Sequence, residues 1–120
     1  MLTLNIFGAL VVGHALADYP LQGDFLSRGK SPYTPIPGIP WIWLLGFHSV
    51  IHAGAVALIL WLFHVPVWSL WWLAIGEFVT HAWTDLCKCR GEIGFTTDQI
   101  GHLICKLSWA LAATVALGGV

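Results

Sequence analysis

EFVTHAWTDLCK (Glu77–Lys88), CRGEIGFTT (Cys89–Thr97) and DQIGHLICK (Asp98–Lys106) make one unbroken stretch, and its reading decides the fold. Glu77, His81 and Asp85 recur every fourth residue, so on a helix they form a single polar stripe. Asp98, His102 and Lys106 repeat the spacing on the next helix. The turn between them folds the helices back on each other, which brings His81 and Asp85 level with Asp98 and His102. The residues between these positions are mostly apolar. Ionisable groups in regular order within such sequence are costly to bury, and they mark a functional site.

The rest of the chain supports a membrane setting. It has 120 residues, enough for one domain; 58% are apolar and only 9% are Asp, Glu, Lys or Arg. Soluble domains carry roughly 25% charged residues. Eight tryptophans and this imbalance predict an integral membrane protein whose first partner is the lipid bilayer. A net charge of -1 gives no reason to expect nucleic acid. Cys87 and Cys89 fall in a loop and Cys105 inside a helix, so no disulfide framework is expected. Ala15-Leu16-Ala17 imitates a signal-peptide cleavage site, but no Lys or Arg precedes the apolar run, so a retained first helix is expected.

Four helices follow from the apolar runs, at about 2–18, 41–63, 67–86 and 98–117. Pro20 ends or kinks the first. Residues 22–40 form a loop with prolines at 32, 35, 37 and 40, read as an extended, semi-rigid strap. Pro66 marks a tight turn. Short connections make neighbouring helices antiparallel, so the expected architecture is all-α, a transmembrane four-helix bundle built from two antiparallel hairpins. Arg28 and Lys30 in loop 22–40, with Lys88 and Arg90 in loop 87–97, place both loops on the cytoplasmic side and both termini on the periplasmic side. Trp41 and Trp43 at one end, with Trp68, Trp71 and Trp72 at the other, suit the two interfacial belts.

The two halves echo each other: His14 and Asp18 end a helix and His48 and His52 lie early in the next, as His81 and Asp85 precede Asp98 and His102. Two similar hairpins would be related by a two-fold axis along the membrane normal. All eight residues then share one layer toward the cytoplasmic end; His64, at the far end of its helix, is assigned to the interface. Imidazole and carboxylate mixed in one cluster are ligands for a divalent metal, zinc first, with manganese or iron as alternatives. His14, Asp18, His48, His52, His81, Asp85, Asp98 and His102 exceed the four ligands of one tetrahedral ion, so one or two ions fit.

Other polar residues have two readings each. Asp18, Asp85 and Glu77 are the candidates for moving a proton. Glu77 and Lys106 lie one turn deeper on the same faces, where they would neutralise each other as an ion pair. Gln22 and Gln99 would orient a ligand or a substrate. Lys30, Lys88 and Arg90 would hold an anionic headgroup or phosphate, or serve only as topogenic charges. Cys87-x-Cys89 lacks a second pair and is read as loop thiols.

The run His14-Ala-Leu-Ala-Asp18-Tyr-Pro-Leu-Gln22-Gly-Asp24-Phe25, with Lys30 beyond it, resembles the opening of a family of small bacterial and phage membrane proteins, domain of unknown function 3307. Its other motifs match His48/His52, His81/Asp85/Lys88 and Asp98/Gln99/His102; Pro20 and the proline-rich strap depart from the pattern. The resemblance spans nearly the whole chain and implies a multi-pass protein of the bacterial inner membrane. A looser similarity, to membrane-bound metal-dependent hydrolases, implies hydrolysis of a lipid-like or amphipathic ester, amide or phosphoester. The competing classes are a metal-ion or proton transporter, a haem carrier and a non-catalytic membrane factor, each compatible with a homo-oligomer. Tightly bound metal favours the hydrolase, exchangeable metal the transporter, and no metal the last.

Overall fold

A computed structural model describes residues 1–119 as five helices: α1 Leu2–Asp18, α2 Gly23–Gly29, α3 Trp41–Leu62, α4 Val67–Cys89 and α5 Phe95–Ala116. No β-strand forms among these residues; the one bridge pairs Ile36 with Ile39. The four long helices close a ring in which α1 packs on α3 and α5, and α4 packs on α3 and α5. The molecule is rod-like, 49 × 25 × 21 Å.

Sequence patterns explain most boundaries. Pro40 and Pro66 occupy the N-cap positions of α3 and α4, where a missing amide proton leaves no helical bond unmade. His64 lies exposed in the α3–α4 turn with φ of 60°, a left-handed conformation that lets the chain reverse. Gly13 lets α1 approach α3 closely, since a Cβ there would lie 2.6 Å from Ile59 Cδ1.

Three expectations change. Loop 22–40 is not an extended strap. It opens with α2, which contains no proline and carries Asp24 and Arg28 one turn apart at 3.8 Å. Gly23, with φ of 59°, starts α2 at 85° to α1, and Gly29 tucks it against Leu44 and Ile36. The proline-bearing part after Lys30 is a series of turns, closed by the bonds from Thr34 N–H to Ser31 and from Ile39 N–H to Ile36. Second, α4 runs on to Cys89, so Cys87, Lys88 and Cys89 are helical. Third, α5 starts at Phe95 from an extended Gly94, which places Asp98 within its first turn.

One helix, Trp41–Leu62, is long and apolar enough to cross a membrane by length and composition; α1 with α2 passes only as a bent pair. Helices α4 and α5 are as long, but their inward stripes lower the average. The inside is polar at one end and aliphatic at the other. Ile6, Leu10, Val56, Leu60, Val65, Leu70, Ala110 and Ala113 form the aliphatic cluster. Outside, large apolar side chains such as Leu4, Val12, Phe47, Trp61, Trp72, Val79, Ile104 and Val115 are exposed.

Candidate metal centre

Each long helix contributes a pair of site residues spaced by four, and ring closure turns the pairs toward one axis. His14, His48, His52, His81, Asp85, Asp98 and His102 are all buried, and Asp18 is half-buried at the rim. The five imidazoles pack as one cluster, three of them stacked: His52 on His81 at 3.5 Å between ring centres, and His81 on His102 at 4.4 Å. His14 lies 4.9 Å from His102, and His48 4.9 Å from His81.

Carboxylates bracket the stack. Asp18 Oδ1 faces His52 Nε2 at 3.0 Å and His48 Nε2 at 3.5 Å, while its Oδ2 lies 3.4 Å from His14 Nε2. Asp85 Oδ2 is 3.3 Å from His48 Nε2 and 3.6 Å from His81 Nε2. Asp98 Oδ1 is 3.3 Å from His102 Nε2. Three overlapping groups result: Asp18 with His48, His52 and His81; His14 with His81 and His102; and Asp85 with Asp98 and His102. Within each, the candidate ligand atoms lie within 4.8 Å of one another.

Several of these atoms make no hydrogen bond: both ring nitrogens of His14, His102 Nε2, Asp98 Oδ1, and Nδ1 of His48, His52 and His81. Buried polar atoms normally find partners, and leaving one bare costs about 1–3 kcal/mol. Moreover, His81 Nε2 and His48 Nε2 are 3.1 Å apart, so at most one can carry the proton between them. A divalent cation answers both features, because it binds nitrogen lone pairs and carboxylate oxygens together. The donor set therefore fits a metal.

The remaining site residues divide by depth. Glu77 and Lys106 meet as the expected ion pair at 2.5 Å, and Trp109 Nε1 donates to the other Glu77 oxygen at 2.8 Å. Glu77 stands beneath the ligand groups, with Oε1 at 3.7 Å from His81 Nδ1 and 4.0 Å from His52 Nδ1. Trp109 was not singled out from sequence, although its place three residues after Lys106 puts it on that face. At the rim, Lys30 is buried, bonds Asp85, and donates to Gln22 Oε1 at 2.5 Å. Lys88 donates to Asp98 at 2.8 Å, and Gln99 donates to Asp18 at 3.2 Å and Asp98 at 3.1 Å. Arg90 does not join them. It is exposed in the α4–α5 turn beside Glu92 at 3.8 Å, because α4 carries it past the end of the bundle. A cavity of about 430 Å³ opens over Asp18, lined by Gln22, Ser27, Lys30, Lys88 and Gln99 among others.

The protein-family model that matches the chain covers residues 6–117, and it is described as Protein of unknown function (DUF3307). The chain belongs to the DUF3307 family. No curated protein and no solved structure matches it. For this DUF3307 chain, all four motif pairs named from the sequence end at the same centre, and the span from His14 to Lys106 lies within the matched residues.

Proposed function

We propose that the protein is an integral membrane, metal-dependent hydrolase acting on a lipid-like or amphipathic ester, amide or phosphoester. The observation that carries the reading is the convergence of five buried imidazoles with Asp18, Asp85 and Asp98, among which His14 Nε2, His102 Nε2 and Asp98 Oδ1 lie unpartnered, beside an open cavity over Asp18. The membrane setting rests on the inverted surface, with charges inside and Trp, Leu, Val and Ile outside. A 22-residue helix is about 33 Å long, which matches a hydrocarbon core of roughly 30 Å. Lysines and arginines at the polar end favour a cytoplasmic site in a bacterial inner membrane.

One or two divalent cations there would supply Lewis acidity for attack by water. Asp18 is the ligand-group carboxylate that also lines the cavity. It would accept a proton from the attacking water and return it to the leaving oxygen or nitrogen, as the water oxygen forms the new bond to carbon or phosphorus and the bond from that atom to the leaving group breaks. Gln99 holds Asp18 in place. Lys30 and Lys88 offset negative charge that develops at the mouth.

Two rival readings fit less well. Metal or proton transit needs a polar route onward, whereas beyond the Glu77–Lys106 pair the bundle is aliphatic. Haem needs space between its axial histidines, and neighbouring rings here lie only 3.5–5.0 Å apart between centres. Elemental analysis of detergent-purified protein, wild type beside His81→Ala, tests the reading. One or two equivalents of zinc, manganese or iron, lost in the variant, support it, and turnover of lipid-like esters or phosphoesters completes it. Metal-free protein after reconstitution with each ion overturns it.

A further inference from the structure

We infer that the site takes a membrane lipid whose phosphate headgroup carries net negative charge, its head in the cavity over Asp18 and one acyl chain in the groove between α1 and α3. The inference deepens the hydrolase reading and rests on it for one argument, the charge of the metal-loaded centre.

That charge points to an anion. Asp18, Asp85, Asp98 and Glu77 face Lys30, Lys88 and Lys106, which leaves one net negative charge with every histidine neutral. One divalent cation turns this into one net positive charge, and two turn it into three. Net charge in a poorly solvated site is costly, so the loaded centre favours an anionic ligand. The mouth offers matching donors. Lys30 Nζ and Lys88 Nζ border the same cavity as the Gln22 and Gln99 amides and the Ser27 hydroxyl. Lys88 is one-third exposed and its ammonium donates to Asp98 at 2.8 Å, so a headgroup oxygen would share that ammonium with Asp98.

The tail has its own place. A groove of about 590 Å³ runs between α1 and α3, lined by Gly8, Val12, Leu16, Leu21, Gly54 and Leu58 among others, almost wholly apolar. From Gly8 to Leu16 it follows α1 for about 12 Å at the rise of a helix. It then reaches Leu21, in the same short turn whose Tyr19, Gln22 and Gly23 line the cavity. Groove and cavity therefore adjoin at the bend where α2 leaves α1 at 85°. An apolar track along the membrane normal, ending at headgroup depth in a polar mouth that bears Lys30 and Lys88 beside Asp18 and Asp24 over the metal-loaded centre, matches one lipid. A helix of a second copy would fill the groove but leave the mouth without its anion.

The experiment uses the full chain, metal-loaded, in nanodiscs of equal parts phosphatidylcholine and a non-hydrolysable phosphonate analogue of phosphatidate. Lipid retained on the protein after transfer to detergent is counted by native mass spectrometry. The phosphonate lipid should be retained over phosphatidylcholine on the order of fivefold or more. Lys88→Gln should bring the ratio close to one, and Lys88→Arg should restore most of it. At Gly54 an added Cβ meets nothing within 4 Å, so Gly54→Leu should fill the groove without disturbing the fold and reduce retention of both lipids. Inorganic phosphate, lacking a tail, should compete weakly with the wild type.

A wild-type ratio near one overturns the inference, as does a ratio that Lys88→Gln leaves unchanged, or Gly54→Leu protein that retains both lipids at the wild-type level. Competition by inorganic phosphate as strong as by the lipid also overturns it, since the groove would then contribute nothing. Metal content measured on the same samples separates the two readings. Protein that binds no metal yet selects the phosphonate lipid removes the hydrolase reading and leaves the lipid assignment standing. Protein that holds metal but shows no lipid preference does the reverse.

Discussion

Helices α1 and α3 meet twice, and the two meetings differ in kind. Toward one end Ile6 and Leu10 pack in a cluster with Val56 and Leu60; toward the other, Asp18 meets His52 at 3.0 Å. The same contrast divides α4 from α5, where Leu70 and Ala110 join the aliphatic cluster while Asp85 and His102 face each other at 3.9 Å. The aliphatic half needs nothing beyond close contact. The polar half leaves ring nitrogens bare and stacks imidazoles face to face, which no requirement of folding explains. Energetically unfavourable arrangements are kept where they serve function, and here the aliphatic half is the frame that holds them.

The largest test of this contrast lies in the metal. His81 belongs to two of the three ligand groups, so His81→Ala should remove most or all bound metal, read by elemental analysis, while circular dichroism stays helical. Loss of helix along with the metal would show that the polar half also holds the fold.

Next comes the buried ion pair. Glu77→Gln alone leaves Lys106 charged and unpaired, and should lower stability by about 3–5 kcal/mol, measured by reversible unfolding in mixed micelles. Glu77→Gln with Lys106→Met should recover most of that loss. A double variant as unstable as the single would mean that Glu77 also steadies His52 and His81 from below.

In the aliphatic half, Leu60→Ala should destabilise by about 2 kcal/mol, the low end for a buried leucine, because in the proposed membrane setting helices gain little from hydrophobic transfer. Its metal content should stay at the wild-type level. Metal loss in this variant would break the division of labour. The smallest effect concerns placement. Cys87 and Cys89 should react with a membrane-impermeant maleimide applied from the cytoplasmic side, whereas labelling from the periplasmic side would invert the proposed topology.

What could be read without coordinates was whatever depends on neighbours in sequence. Spacing by four put His14 with Asp18, His48 with His52, His81 with Asp85 and Asp98 with His102 on common faces, because helical geometry is local. Apolar runs and prolines located the four long helices to within a few residues. The pairing of Glu77 with Lys106 was legible too, since a lone charge one turn deeper needs a partner. Helix α2 was not. Its seven residues have no apolar period long enough to notice, and four prolines further on drew the whole segment into one reading.

Tertiary structure decided which atoms meet. Helix rotation and close approach, such as Gly13 against Ile59, divide the eight residues into three overlapping groups. They set Glu77 beneath these groups, engaged by Lys106 and Trp109, and leave Arg90 outside. The fold of α2 returns Lys30 to Asp85 across 55 positions of sequence, a contact no local pattern encodes. Periodicity assigns a residue to a face; only the packing of four faces around one axis determines whether that face ends at the candidate metal centre, a lysine or solvent.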